Sequence, residues 1–371
     1  MGGHIKPSPY SDFLLSAIWQ RRDLDVAVPD FPRFRALESE VLTTEVQHIG
    51  ALGRFQLTSG VGHLDSDDES FPIRGTERVK HDNAYLYGSV RDGLQRFWLQ
   101  IGVGGDNVHR DDSERGVFKR HHLSPKIGVV WRLTPSTVLR AASFHSVKRQ
   151  LIGNQTIEPT QVAGFNQFFD DPNGTISRRS GIALDHQFPR DVHVGLELTK
   201  RVLDIEVFGI GTTEKFYWRE RMNRGHAYWA LPPQTLNALV PHWRVALGAE
   251  AQYERLDRDD GFTGAEGIVD LNTYFFPLSI RLFRDGGFAF RITSTHVRQK
   301  GTLLALNRVT PNERFWTTDV ALSYPLPRRY GLISLGVKNL TNRDFKYTET
   351  DTNSPRLANG RFVYGRLVLS F

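Results

Sequence analysis

The sequence predicts an all-β fold: a closed antiparallel transmembrane β-barrel of about 16 strands, with short turns at one end and long loops at the other. Three observations predict it. Apolar residues recur at every second position along most of the 371 residues, short and long connectors alternate, and aromatic residues stand near predicted strand ends. A barrel wall needs apolar residues on one face only, so a hydrophobic share of 39% is sufficient.

The alternation is clearest in VHVGLELT (192–199), where Val192, Val194, Leu196 and Leu198 share one face. A helix would need apolar residues three and four positions apart, and no long stretch supplies them. The period of two therefore predicts strands. The predicted strands are 11–21, 40–48, 52–63, 80–90, 95–105, 123–133, 136–147, 177–187, 192–208, 215–231, 242–256, 266–283, 287–299, 313–325, 330–340 and 361–371.

The connectors between these strands alternate in length. Short turns such as TPS (134–136) and RDGG (284–287) are separated by polar loops such as residues 64–79 and 106–121. Strands of about 10 residues, tilted by roughly 45°, cross the hydrocarbon core of a bilayer. Closing the sheet pairs every strand edge, which a bilayer requires because it offers no water to free amides. The competing hypothesis is a soluble β-sandwich or propeller, which shows the same alternation.

Four aromatic residues separate these two hypotheses. Trp19, Trp131, Trp243 and Tyr324 stand near strand ends on the apolar phase. Aromatic side chains at these positions form the girdles of membrane barrels. They favour the membrane barrel, because the solvent-exposed face of a soluble sheet seldom carries so many aromatic residues at strand ends.

Composition excludes several classes of function. The chain has 0 cysteines, which removes disulfides, thiolate zinc sites and cysteine nucleophiles. No apolar run is long enough for a transmembrane helix. The net charge of +6 is spread along the chain and predicts no nucleic-acid partner. No cofactor is predicted, since GVGG (102–105) lacks the Lys and the Ser or Thr of a phosphate-binding loop.

The last stretch, NGRFVYGRLVLSF (359–371), reads as a membrane strand. Its alternation places Val363, Leu367 and Leu369 toward lipid and Arg366 toward the interior. The strand ends on the aromatic Phe371.

Three segments resemble parts of TonB-dependent receptors of the bacterial outer membrane. They are NLTNRDF (339–345), the strand–turn–strand unit LSPKIGVVWRLTPSTVLRAAS (123–143), and the closing strand with its terminal Phe371. The resemblance implies periplasmic turns, extracellular loops and an assembly signal made by Phe371, Leu369 and Leu367. The partners it implies are outer-membrane lipid and lipopolysaccharide, the barrel-assembly machinery and an unknown solute.

The chain departs from that family in two respects. The family barrel has about 22 strands, and a plug domain precedes it, whereas here we expect only a tail at 1–10 before a barrel at 11–371. A plug or periplasmic domain missing from this chain is therefore an expected partner. We predict an outer-membrane transport or receptor barrel. The alternative is an export or anchoring barrel, similar to a polysaccharide-export porin, that forms the C-terminal part of a longer envelope protein.

Charged residues on the inward phase are the first candidate site. In a water-filled lumen they keep their hydration and can select solutes by charge. The alternative is cross-strand pairing of Arg with Asp or Glu that only stiffens the wall. The candidates are Lys126, Arg132, Arg244, Glu250, Arg281, Arg291, Asp319, Lys338 and Arg366.

The second candidate is the long loop GNQTIEPTQVAGFNQFFDDPNGT (153–175), which carries Phe165, Phe168 and Phe169. Loops of more than about 15 residues are usually functional or disordered. This loop either folds into the pore as a constriction, binds a ligand, or packs as an external cap.

Metal binding and catalysis are not predicted. The acidic clusters LDSDDES (64–70) and ERLDRDDG (254–261) lack the spacing of a calcium loop. His121 and His122 are adjacent, so on a strand they point to opposite faces. No G-x-S-x-G motif supports a hydrolase. The chain is therefore predicted to be neither an enzyme nor a metalloprotein.

Overall fold

The regular elements in the described residues are all β-strands. The structure, a computed structural model, describes residues 1–28, 31–70, 75–113, 116–149, 155–168, 171–209, 212–232, 242–258, 267–304, 308–327, 330–350 and 356–369. The strands are β1 (Gly2–Ser8), β2 (Ser11–Val28), β3 (Phe31–Leu52), β4 (Phe55–Ser70), β5 (Gly75–Arg91), β6 (Phe97–Asp112), β7 (Gly116–Thr134), β8 (Thr137–Val147), β9 (Gln161–Val162), β10 (Phe165–Asn166), β11 (Ile176–Phe188), β12 (Val192–Gly209), β13 (Thr212–Ala230), β14 (Trp243–Arg258), β15 (Gly267–Arg284), β16 (Ala289–Leu304), β17 (Arg308–Val309), β18 (Asn312–Pro325), β19 (Gly331–Lys338) and β20 (Phe362–Leu369). Within the described ranges, no helix has the length and apolar character needed to cross a membrane.

One 18-stranded sheet contains most of these strands, and β9 and β10 form a separate two-stranded sheet. Neighbours in sequence pair antiparallel from β2 through β7, and again from β14 through β16 and from β18 through β20. Such up-and-down pairing needs only tight turns between strands. The predicted all-β antiparallel fold is confirmed at this level.

Every predicted strand is present, as β2–β8, β11–β16 and β18–β20. Two further strands, β1 and β17, raise the sheet above the predicted count of about 16. The predicted N-terminal tail at 1–10 is wrong for Gly2–Ser8, which pairs with β2 in the register Gly2↔Ser16. The stretch is short and its only large apolar residue is Ile5, so it carries little of the alternation that marks the other strands.

Several strands are longer than predicted because polar segments pair beyond the apolar stretch. Asp65 lies opposite Lys80 and Asp67 opposite Arg78 in the β4–β5 register. The guanidinium of Arg78 lies within 3.5 Å of both carboxylates. Opposite charges across a strand pair stabilise it. Residues 64–79 were therefore wrongly predicted to be a loop over much of their length.

The chain divides into two compact units. Unit 1 comprises Met1–Arg132, Arg140–Gly181 and Arg201–Trp218, and it contains β1–β6 with most of β7 and β8. Unit 2 comprises Leu133–Leu139, Ile182–Lys200 and Arg219–Phe371, and it contains β14–β20.

The side chains of unit 1 are distributed in the opposite way to those of a soluble protein. On β7, Leu123, Ile127 and Trp131 are 66%, 50% and 48% exposed, whereas Ser124 and Lys126 between them are 1% and 5% exposed. Apolar residues thus face outward and polar ones are covered. Contiguous exposed apolar surface marks an interface with another apolar phase.

Unit 2 has the same inversion. Leu196 and Leu198 on β12 and Leu278 and Ile280 on β15 are exposed, while Gln299 and Thr273 are buried at 0% and 1% exposure. A soluble β-sandwich would bury the apolar set and expose the polar one. The exposed apolar face is the property that the membrane hypothesis requires.

This inversion predicts how the protein responds to an arginine on the outer face of β7. Ile127 lies in the middle of five outward residues, Leu123 to Trp131, and Val117 lies on the same face in the polar extension of the strand. In phospholipid vesicles we expect Ile127→Arg to lower the free energy of unfolding by about 2–4 kcal/mol and Val117→Arg by no more than about 1 kcal/mol. Urea titration of the refolded variants measures both values. Equal and small losses would contradict burial of this face in lipid.

Candidate functional site

Residues 155–168, here called the hairpin segment, fold against the polar face of unit 1. The strands β9 and β10 are joined by Ala163 and Gly164, whose φ angles are 47° and 85°. Two central residues with positive φ are typical of a type I′ hairpin turn. Val162, Ala163 and Phe165 are at most 1% exposed. The hairpin segment is therefore packed into the unit.

Glycines of the wall leave room for this hairpin. A Cβ atom built on Gly128 of β7 would lie 2.7 Å from the Cβ of Ala163. A Cβ atom on Gly181 of β11 would lie 2.5 Å from the ring of Phe165. Real Cβ atoms do not approach other atoms so closely, so any larger residue at either position would displace the hairpin. Glycine in a strand often marks such a close approach.

A buried ionic cluster ties the hairpin segment to the wall. Arg149 donates to Glu158 of the hairpin segment, and its guanidinium lies 3.9 Å from Glu45 of β3. The three residues are 5–6% exposed. Glu45 in turn accepts hydrogen bonds from the hydroxyl of Thr156, at 2.6 Å, and from the amide of Ile157, at 2.9 Å. One wall carboxylate therefore holds both a cation and the start of the hairpin segment.

Lys126 lies at the centre of a second set of contacts. Its ammonium donates to Gln167 Oε1 at 2.5 Å and to the carbonyl of His145 at 3.1 Å, and it lies 4.0 Å from Glu158. Tyr87 donates to Glu158 at 2.6 Å and accepts from Gln167 Nε2 at 3.1 Å. Buried charges require such partners, because burying an unpaired charge costs roughly several kcal/mol of folding free energy.

Wall amides satisfy the backbone of the hairpin segment. Gln47 of β3 donates to the carbonyl of Ile157, and Gln100 of β6 accepts from the amide of Ala163 at 3.1 Å. Buried backbone groups are almost always paired. Here the partners are side chains of the surrounding strands, so the hairpin segment is held without joining the large sheet.

The predicted loop aromatics have separate positions. Phe165 is buried, with the guanidinium groups of Arg140 and Arg179 at 5.4 Å and 6.0 Å from its ring centroid. Phe168 is half-buried beneath Arg149, at 5.3 Å. Phe169 lies outside the described residues. The two described rings anchor the segment, and ligand binding by them stays a prediction.

The predicted charged residues have three kinds of environment. Lys126 belongs to the buried cluster. Glu250 accepts hydrogen bonds from Tyr228 at 2.5 Å and from Arg224 at 2.9 Å, and Asp319 accepts one from the amide of Asn339 at 2.8 Å. The exposed basic members are Arg132, Arg244, Arg281, Arg291 and Arg366, and Lys338 is half-buried.

The NLTNRDF segment (339–345) has a structural role in unit 2. Asn339 is 0% exposed, and its side chain exchanges hydrogen bonds with the backbone of Arg343, at 2.8 Å and 2.9 Å. It also donates to the carbonyl of Ala358 at 3.1 Å. One asparagine therefore fixes both ends of the connection between β19 and β20.

The same connection folds over a buried face of unit 2. Phe345 stacks on Phe315 of β18, with ring centroids 4.1 Å apart, in a cluster that includes Phe275 and Val297. Gln299 of β16 exchanges two hydrogen bonds with the backbone of Thr348, at 2.8 Å and 3.0 Å. An amide side chain of the wall again satisfies the backbone of a segment that lies against it.

Of the predicted assembly signal, Leu367 and Leu369 are 59% and 50% exposed on the outward phase of β20, and Phe371 lies outside the described residues. Their role in assembly stays a prediction. Within the described part of the chain, no group of three or more His, Asp or Glu side chains could hold a metal ion.

Sequence reasoning did not bring together the residues that form the buried cluster around Lys126. Two of its members lie on separate strands, Glu45 on β3 and Tyr87 on β5, and three lie in the long connection after β8: Arg149, Glu158 and Gln167. The available signal was the pair Arg149 and Glu158, opposite charges at the start of a long loop containing several aromatic residues.

The strands expose an apolar face and cover a polar one, and further segments fold onto the polar face. These features define the class of outer-membrane β-barrels. Solved structures of that class match this chain. The ferric citrate transporter FecA matches 100% of this chain at 13% identity with a TM-score of 0.64. The FrpB iron transporter of Neisseria meningitidis, in its F5-1 variant, matches 97% at 11% identity and 0.65. The outer-membrane transporter YddB of Escherichia coli matches 98% at 11% identity and 0.60.

These matches establish the fold, and the predicted resemblance to such receptors is confirmed at that level. The chain covers 60%, 62% and 67% of the lengths of FecA, FrpB and YddB. All three are described as transporters. No protein-family model matches the sequence, and no curated protein matches it.

The geometry predicts that loss of one carboxylate releases the hairpin segment. Removing one partner of a buried ion pair costs about 3–5 kcal/mol, whereas an exposed pair contributes about 1 kcal/mol or less. We expect Glu158→Ala to expose the hairpin, and Asp204→Ala, which breaks the exposed Arg178–Asp204 pair of 2.7 Å, to leave it docked.

Maleimide labelling measures this directly, because the chain has 0 native cysteines. Ala163 is 1% exposed, so a cysteine placed there should react slowly with the maleimide in the parent protein. In the Glu158→Ala background its reaction rate should rise by roughly tenfold or more. A cysteine at the exposed Leu94 reports full accessibility in every background. Equal labelling of Ala163→Cys with and without Glu158 would show that the cluster does not hold the hairpin.

Proposed function

We propose that the chain forms an outer-membrane transport barrel that binds a solute or passes it through a polar lumen. The observation that carries the proposal is the inverted wall: apolar side chains are exposed and polar ones are covered in both units. Water-filled barrels in lipid have this distribution. The structural relatives, described as transporters of ferric citrate, iron and, for OprC, copper, support transport as the activity and leave the solute open.

A closed wall follows from the same environment. Lipid offers no hydrogen-bond partner to a free strand edge, so a sheet of this kind is stable in a bilayer when its first and last strands meet. In that arrangement the covered polar faces line the lumen. Outer-membrane lipid and lipopolysaccharide surround the apolar face, and the barrel-assembly machinery recognises the closing strand.

The hairpin segment is then the constriction of the pore. It lies on the face that would line the lumen, where Glu45, Gln47, Gln100 and Lys126 contact it. Its docking through buried ion pairs favours a stable obstruction, because breaking such a pair is costly. The predicted alternative of an external cap fits less well, since Val162 and Phe165 are 0% and 1% exposed.

Single-channel recording in planar bilayers tests the pore and the constriction together. Replacing residues 155–168 with a Gly-Ser linker of equal length should raise the conductance about threefold or more, because such a linker stays flexible and has no docking contacts. The Val117→Arg variant, changed on the outer face of β7, should keep the parent conductance.

Two results would count against the proposal in different ways. An unchanged conductance in the linker variant would show that the hairpin segment is not the constriction. Absence of any channel in both proteins, with folding verified by heat-modifiable gel mobility, would contradict the pore.

A further inference from the structure

Two arginines lie directly opposite each other on neighbouring strands of unit 2. Arg281 of β15 and Arg291 of β16 are register partners, and both are exposed. Their phase is that of Leu271 and Thr273 on β15 and of Val297 and Gln299 on β16, the covered face of each strand. The pair therefore points to the side opposite the apolar surface.

Small residues surround this pair. The register partner of Arg281 on the other side is Ala246 of β14, and that of Arg291 is Ala321 of β18. Beyond Ala321, the next residue in the same row is Gly336 of β19. Neither side chain is covered by its neighbours, so both guanidinium groups have room to turn toward one ligand.

No neighbouring carboxylate neutralises the pair. Among the described residues, no Asp or Glu oxygen lies within 4.0 Å of Arg281 or Arg291. The nearby acidic residues are engaged elsewhere: Glu250 with Arg224 and Tyr228, and Asp319 with the amide of Asn339. Like charges directly opposite on paired strands are destabilising, which makes an unneutralised pair costly unless an anion binds there.

Two further arginines extend the positive surface on the same face. Arg244 is the register partner of Phe283, two residues along β15 from Arg281, and its guanidinium lies 3.8 Å from the exposed Asp285. Arg366 of β20 is the register partner of Ser334. After Phe283, the row that leads to Arg366 holds Ala289, Ser323 and Ser334. Two hydroxyl groups therefore accompany the positive charge.

We propose that Arg281 and Arg291 form a binding site for an oxyanion, and that the transported or bound solute carries phosphate or several carboxylates. Guanidinium groups offer planar pairs of N–H donors that match the oxygens of these groups. Two of them on adjacent strands, about 5 Å apart at the backbone, suit a multiply charged anion better than a single carboxylate. This inference rests on the proposed function, because it requires the covered face to line the water path.

Reversal potentials across a KCl gradient test the site in the intact chain. The parent pore should prefer chloride to potassium, and added inorganic phosphate should reduce the chloride current. The double variant Arg281→Ser/Arg291→Ser should lose about threefold or more of that preference and should no longer respond to phosphate.

The matched control removes the same charge from the other face. Arg298 of β16 and Arg314 of β18 are also register partners, and both are exposed on the apolar side. Arg298→Ser/Arg314→Ser should keep the parent selectivity and the parent response to phosphate. Equal losses in the two double variants would show that only net charge matters, and unchanged selectivity after loss of Arg281 and Arg291 would overturn the site.

A binding measurement separates this inference from the proposed function. The unfolding midpoint of the detergent-solubilised parent should rise in phosphate relative to chloride at equal ionic strength, since a ligand of the folded state stabilises it. The rise should vanish in Arg281→Ser/Arg291→Ser and persist in Arg298→Ser/Arg314→Ser. A conducting pore without this stabilisation refutes the oxyanion site alone, whereas the stabilisation without any conductance refutes the pore alone.

Discussion

The constraint on which the structure depends is that one wall serves two different surroundings. Each strand satisfies its backbone through its neighbours, so the side chains alone adapt to what lies on either side. On β7 the consequence is an exposed Ile127 next to a buried Lys126. The alternation of apolar and polar residues in the sequence therefore reflects two environments. The apolar environment contacts the outer face of the wall.

Covering the polar face creates a second problem, because an inserted segment brings its own backbone polar groups. Both segments that fold onto the wall solve it with amide side chains. Gln47 and Gln100 bond the backbone of the hairpin segment, and Gln299 bonds that of Thr348. Glutamine carries both a donor and an acceptor and no charge, so it matches a backbone peptide without an ionic desolvation cost.

Most strands were predictable from the sequence, whereas the contacts of the inserted segments were not. Strand positions follow from side-chain alternation, which is local, and all of the predicted strands are present. The contacts of Glu45 with Thr156 and Ile157 join residues more than 100 positions apart, and no local pattern encodes them. Lys126 could be assigned to the inward phase, but its burial depended on Gln167 and Glu158, which lie on a segment whose path was open.

The charges of the wall differ according to what covers them. Where the hairpin segment excludes water, Lys126 and Arg149 have carboxylates or amides as partners, because isolation there would be expensive. Where side chains stay exposed, Arg281 and Arg291 remain adjacent and unneutralised, which water permits at a smaller cost. Buried ion pairs thus lie where the hairpin segment covers the wall. Uncompensated positive charge remains where the side chains are exposed, and a dissolved anion can reach it there.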